Sequence, residues 1–382
     1  MSVSAEGRQG FCLPPAVSRS LLCLLFVLVA VTGCSRADEG GSVSPTTPSS
    51  PPTADTPATE TSTTTTTSPT TTVVETIPPD TIAPQALTIE AFPVPAGSRP
   101  HDVAPAIDGG VWYTAQGSGQ LGWLEPSTGQ TRHIDLGAGS RPHGVIVGAD
   151  GSAWVTDGGL NAIVVVDPDT LDPVVFPLPD DRPDANLNTA TFDGRGILWF
   201  TGQNGIYGSL DPASGEMTVY DAPRGRGPYG IATTPGGSVY LASLAGSYVG
   251  AVQPDGSLDI LEPPTAGQGA RRVWADSSGS IWVSEWNSGN LSRLRPDSDQ
   301  WDTWALPGDA STYAVYVDDR DIVWTSDFAS NAIVRFDRRT EQFTAIPLPH
   351  SPGDVRQILG RPGEVWGAES AADHLVLIRT NE

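Results

Sequence analysis

The chain has 382 residues, with 44 acidic against 21 basic side chains and a formal net charge of −23. Every basic residue is arginine and no basic stripe or run stands out, which excludes nucleic acid as a partner and fits a solvated surface outside the cell. The three cysteines, Cys12, Cys23 and Cys34, all precede residue 35, so the rest of the chain has no disulfide, no thiolate metal site and no cysteine nucleophile.

Residues 1–33 read as an export signal. Arg8 and Arg19 precede the apolar stretch 21–31, which is too short to span a bilayer as a lasting helix. It closes on Val31-Thr32-Gly33-Cys34, which resembles the lipobox of bacterial lipoproteins. That resemblance implies that Cys34 becomes the lipidated first residue of the mature protein, on the extracytoplasmic face of the cell membrane. The other reading is an ordinary signal peptide with a chance cysteine. Residues 34–86 follow, dominated between 42 and 84 by Thr, Ser and Pro. Such a segment cannot bury a core and is expected to be an extended, disordered tether.

From residue 87 a repeat takes over. Tryptophan stands at Trp112, Trp154, Trp199, Trp282, Trp324 and Trp366, and Tyr240 fills the vacant slot; the gaps are 42, 45, 41, 42, 42 and 42 residues. Each copy holds four strand-like runs of Val, Ile, Trp and Phe, bounded by Gly, Pro, Asn and Asp, as in Pro142–Val147, Ala153–Asp157, Ala162–Val166 and 174–176. Asp-Gly turns recur at Asp108-Gly109, Asp150-Gly151 and Asp193-Gly194. A strand-rich period of this length predicts an all-β, seven-bladed β-propeller with four-stranded antiparallel blades. The seventh copy stops before a fourth run, while residues 87–95 form an orphan ending Phe92-Pro93-Val94-Pro95, like the closing runs Phe176-Pro177-Leu178-Pro179 and Ile346-Pro347-Leu348-Pro349. The N-terminal strand is therefore expected to complete the last blade, making 87–382 one closed ring, expected to be a monomer. The repeating Trp is read as inter-blade core.

In a propeller the first strand of each blade lines the central channel, so equivalent positions meet at its mouth. Eleven residues before each repeating aromatic stand His101, His143, Tyr229, Arg271 and Tyr313; the third copy offers Asn186 or Asn188, the seventh Asp354 or Arg356. This polar, aromatic ring is the candidate binding site; the alternative is a solvated mouth with no ligand. His101 and His143 share the string Ser-Arg-Pro-His and suit acid–base or ligand roles, although repeat duplication also explains them. His133, His350 and His374 are read as incidental. An acid recurs three residues after the aromatic as Asp157, Glu285, Asp327 and Glu369, which suits either metal or substrate binding or the capping of a turn.

The strings Gly227-Pro228-Tyr229-Gly230-Ile231, Ile281-Trp282-Val283-Ser284-Glu285-Trp286 and Arg141-Pro142-His143-Gly144-Val145 resemble the streptogramin B (virginiamycin B) lyases, seven-bladed propellers, over residues 97–382. The resemblance implies opening of a cyclic depsipeptide by elimination: a His takes the α-proton at the ester-bearing residue while Mg²⁺ polarises the lactone. It also implies His on the last two blades, a Glu two residues before the second His, and a Glu after that blade's Trp. Blade for blade, this chain instead has Tyr313 and the Gly353-Asp354 region. Rotating the ring puts the pair on His101 and His143, with Arg141, which cannot ligate Mg²⁺, in the upstream position and Asp157 as the remaining carboxylate. The expectation is thus an anchored propeller binding a small molecule, peptide or glycan at its mouth, its catalytic set incomplete and Mg²⁺ implied by resemblance only. The alternatives are a lyase or lactone-opening enzyme, with His143 as base and His101 and Asp157 assisting, and a protein-interaction scaffold of the cell envelope.

Overall fold

The computed structural model describes residues 87–380. The signal segment, Cys34 and the tether lie outside the described residues. Among the latter, no helix is long and apolar enough to cross a membrane.

Among the described residues, twenty-eight strands run from β1 (Ile89–Pro93) to β28 (His374–Arg379) and form seven four-stranded antiparallel sheets. Six sheets are simple meanders. The seventh combines β26 (Val355–Arg361), β27 (Glu364–Glu369) and β28 with β1, which pairs Ile89 with Ile378 and Pro93 with His374. The orphan strand closes the ring as its sequence implied, as the outermost strand of the last blade.

Burial follows position within the blade. The second strand of every blade lies between neighbouring sheets and is buried on both faces, as in Ala153–Asp157, whose apolar start packs between blades while its buried Thr156 and Asp157 are hydrogen-bonded. The outermost strands alternate, as in Gln130–Asp135. Seven core clusters follow, one for each contact between blades. Trp112 packs with Val145, Val155 and Val164 of the next blade, Trp324 with Ile358 and Val376, and Trp366 with Val103 and Tyr113 of the first. The Trp period is therefore inter-blade core. Several indole N–H groups are satisfied by a carboxylate in the preceding turn: Trp282 donates to Asp276 at 3.0 Å and Trp324 to Asp318 at 2.9 Å.

A second repeated device ties the blades at the channel. The hydroxyl two residues after the aromatic accepts an amide of its own first strand and donates to a carbonyl of the next blade. Thr114 Oγ1 accepts from Asp102 N at 3.0 Å and donates to His143 O at 2.8 Å; Thr156 Oγ1 accepts from Gly144 N at 2.9 Å and donates to Asn188 O at 2.5 Å. Thr201 donates to Tyr229 O, and Ser284 to Tyr313 O at 2.6 Å. The carbonyls so held belong to the ring residues, whose backbone is pinned from the neighbouring blade.

Candidate functional site at the channel mouth

Each first strand carries a register shift near its start, between Pro100 and Val103 in the first blade and between Ala270 and Arg272 in the fifth. Such a bulge breaks the alternation of a strand and re-aims a side chain. Two consecutive residues per blade therefore serve the channel. The outer tier holds His101, His143, Asn188, Tyr229, Arg271, Tyr313 and Arg356. The inner tier holds Asp102, Thr189, Arg272 and Gln357, with small residues on the other blades. A Cβ on Gly230, one of these, would lie 2.6 Å from Arg272 Cα, so only glycine lets the fifth blade approach there.

Strand register settles both sequence ambiguities. Leu187 pairs with Gly202, so Asn188 takes the ring position, buried, while Asn186 sits before the strand at φ +50°. Asn186 is thus corrected to Asn188. Val355 pairs with Glu369, which makes Arg356 rather than Asp354 the seventh member.

A buried polar chain crosses the mouth. His101 Nδ1 lies 2.8 Å from Asp102 Oδ1, and Arg272 Nη2 donates to the same oxygen at 3.1 Å. A carboxylate only accepts, so His101 carries its proton on Nδ1 and presents a lone pair at Nε2. Arg272 Nη1 donates to Thr189 Oγ1 at 2.5 Å, Thr189 Oγ1 donates to Asn188 Oδ1 at 2.6 Å, and Asn188 Nδ2 faces His143 Nε2 at 3.3 Å. Read from the obligate donor Arg272, every bond has one direction. His143 Nε2 accepts, and its proton is on Nδ1, which is buried with no protein partner. The two imidazoles, with centroids 3.9 Å apart, thus offer opposite chemistry: an acceptor at His101 Nε2 and a donor at His143 Nδ1.

Electrostatics keep both rings neutral. Burial, then the nearby Arg272, lowers His101 well below its ordinary value of 6.5; burial, then His101, lowers His143. Burial raises Asp102 against the pull of Arg272, and the charge of Arg272 is kept, against burial, by Asp102 above all.

Beside this chain the Arg271 guanidinium lies over the Tyr313 ring at 3.4 Å and within 4.7 Å of the Trp286 and Tyr229 ring centres. Its Nη2 donates to Tyr229 OH at 3.2 Å, and the Tyr229 and Tyr313 hydroxyls share a short hydrogen bond. Burial would raise Tyr229, but Arg271 and Arg272 together outweigh it and lower the phenol; Tyr313 is raised by burial and by Tyr229. Trp286 and Phe328, each four residues after its repeating Trp, wall this side through Tyr313. Neither was singled out from sequence, although the shared spacing was there to be read.

Asp157 lies elsewhere. It accepts Ser140 Oγ at 2.5 Å and the amides of Arg141, Gly159 and Leu160 at 2.9 Å each, which occupies its lone pairs. Its assignment to a metal gives way to the capping role. Among the described residues two groups of ligand-bearing side chains converge, His101–Asp102–His143 and His350–Glu369–His374, and Asp157 belongs to neither. The first does not fit Mg²⁺, which demands near-octahedral oxygen donors. It offers two imidazoles and a carboxylate oxygen already shared by His101 and the fixed cation Arg272.

A family model described as the virginiamycin B lyase family matches residues 140–382. The chain belongs to that family. No match is found among curated proteins. Among solved structures, a streptogramin B lyase is 20% identical, covering 77% of this chain and 97% of its own, with a TM-score of 0.70. A catalytically inactive histidine-to-alanine variant of virginiamycin B lyase from Staphylococcus aureus, with Quinupristin, is 17% identical over 77% and 99% of the two chains, with a TM-score of 0.71. The extracellular domain of a hybrid two-component system from B. thetaiotaomicron is 15% identical over 78% and 43%, with a TM-score of 0.60. These likenesses establish the propeller fold. Where the resemblance implied histidines on the last two blades, Tyr313 and Arg356 stand, and Arg272 lies beside the histidine pair of the first two blades.

Proposed function

We propose that this member of the virginiamycin B lyase family is a binding propeller whose mouth takes a small molecule, peptide or glycan through a carboxylate or carbonyl oxygen. The observation that carries this reading is the buried, unpartnered Nδ1–H of His143. A buried donor without a partner costs about 1–3 kcal/mol, which an acceptor on a ligand would recover. The two tiers also hold three arginines, Arg271, Arg272 and Arg356, against one acid, Asp102, in a chain whose net charge is −23. A cationic mouth on an anionic protein selects anionic groups. On the same face a groove of about 470 Å³ runs between the first two blades, lined by Arg99, Gln116, Ser118, Ser140 and Arg141, and suits the remainder of a peptide or glycan. Lipidation at Cys34 would hold the propeller at the extracytoplasmic membrane face; labelled lipid incorporation that survives Cys34→Ala would reject the anchor. Titration calorimetry with carboxylate-bearing peptides and acidic oligosaccharides tests the mouth. Binding lost in His143→Ala and Tyr229→Ala supports it; binding indifferent to both, or none at all, rejects it.

A second reading is favoured by the His101–Asp102 pair. A neutral imidazole whose Nδ1–H is held by a carboxylate presents Nε2 as a base. If the chain opens a cyclic depsipeptide, His101 rather than His143 takes the α-proton, the Cβ–O bond of the ester breaks, and the carboxylate leaves towards Arg272 or the His143 donor. Incubation with a streptogramin B without added metal decides it: a ring-opened product of unchanged mass, absent with His101→Ala, supports elimination. Intact substrate rejects enzymatic opening, and a gain of one water rejects elimination in favour of hydrolysis.

A further inference from the structure

We propose that His350, Glu369 and His374 form a binding site for a divalent transition metal of the zinc class at the seam where the ring closes. His350 lies in the loop between the sixth and seventh blades, Glu369 ends β27 and His374 begins β28, whose partner at that position is Pro93 of β1. One ligand atom from each residue falls within 4.8 Å of the others.

The details distinguish this cluster from its counterparts around the ring. Asp157 and Asp327, at the position equivalent to Glu369, are occupied mainly with turn amides and serine hydroxyls. Glu369 instead turns both oxygens to His350, accepting its backbone N–H at 3.3 Å and facing its Nδ1 at 2.6 Å. The rings of His350 and His374 stack with centroids 4.0 Å apart. His374 donates Nδ1–H to Ala372 O at 2.7 Å, since a carbonyl only accepts. That bond fixes the tautomer and leaves Nε2 as a lone pair, the arrangement that backbone carbonyls impose on metal-binding histidines. Glu369 is fully buried while the His350 side chain is 37% exposed, so the cluster opens to solvent on one side. Two imidazoles and one carboxylate suit zinc, which takes three protein ligands and leaves a fourth position open; they do not suit Mg²⁺ or Ca²⁺.

The place gives the metal a consequence. Asp373, next to His374, accepts the amides of Gly97 at 2.8 Å and Arg99 at 2.6 Å with its side chain, and that of Val94 at 2.9 Å with its carbonyl. The turn therefore holds the segment leading from β1 to the strand that bears His101. A metal joining His374 to Glu369 and His350 clamps the closing blade, and its binding free energy adds to the stability of the ring.

Equilibrium dialysis of the purified protein against Zn²⁺, with thermal unfolding followed in parallel, tests this. We expect one bound zinc per chain that excess Mg²⁺ does not displace, and a melting temperature raised by zinc and lowered again by a chelator. His374→Gln and His350→Ala should each weaken zinc binding by at least about tenfold and abolish the zinc-dependent shift. His143→Ala should leave both intact. Two variants at the cluster guard against loss of fold in one. No zinc uptake, uptake unchanged in both cluster variants, or uptake lost in His143→Ala would overturn the site.

Discussion

Arg272 Nη2 lies 3.1 Å from Asp102 Oδ1, a contact across the channel between residues 170 apart in sequence, on the fifth and first blades. Both side chains are almost wholly shielded, at 5% and 1% exposure. Removing one partner of such a pair strands the other charge. Arg272→Met should cost about 3–5 kcal/mol in urea denaturation, and Asp102→Asn placed on top of it should restore part of that loss. A single variant as stable as wild type would mean that the pair does not hold the mouth.

The same burial makes stability depend on pH. His101 and His143 are both lowered below 6.5, the first by burial and Arg272, the second by burial and His101, with Arg356 acting on each and Arg271 on His101. Asp102 pulls His143 the other way. The unfolded chain takes up protons that the native state refuses. The contribution is full above about pH 6.5 and is lost as pH falls below it, by about 1.4 kcal/mol per pH unit for each such proton. His133, lowered by burial, acts in the same sense; Asp102, raised by burial, acts oppositely where it titrates. Denaturation curves at a series of pH values from neutral downward should show this slope, and His101→Gln with His143→Gln should flatten it.

Thr156 links the second and third blades through one hydroxyl, which accepts Gly144 N–H and donates to Asn188 O. Thr156→Val keeps the shape and leaves both backbone groups buried and unpaired, at about 1–3 kcal/mol. Thr156→Ser should recover most of it in thermal melts. Equal stability of the Val variant would show that the Thr156 hydroxyl does not tie the two blades.

The ring of blades was legible because every copy repeats the same physical need, a large ring between sheets, and because Phe92-Pro93 repeats the closing motif of Ile346-Pro347. The outer tier was legible from the same ruler, except in the third and seventh blades, where Asn188 and Arg356 each had a rival two residues upstream. Asp102, Thr189 and Arg272 were not, since strand alternation sends neighbours to opposite faces and the bulge that cancels it leaves no mark in a single sequence. His350 and His374 were passed over for a related reason. They occupy a loop and a hairpin outside the repeat's shared positions: the turn that brings β27 back as β28 sets His374 beside Glu369, and the loop between the sixth and seventh blades brings His350 to it.

The hydrogen-bond chain from Arg272 through Thr189 and Asn188 fixes which nitrogen of His143 bears the proton, and Asn188→Asp tests that chain at its weakest link. The carboxylate cannot donate to His143 Nε2, so the imidazole must turn its proton to that nitrogen and withdraw it from Nδ1. An anion in contact also favours the imidazolium, so the His143 pKa should rise from its lowered value. Nitrogen chemical shifts of His143 should report the Nδ1–H form in the wild type and the Nε2–H form in the variant. A ligand whose oxygen accepts from Nδ1–H should bind about tenfold more weakly to the variant, the worth of one hydrogen bond. If the variant keeps its proton on Nδ1, His143 takes its orientation from something other than Asn188, and the donor at the mouth is not set by Arg272.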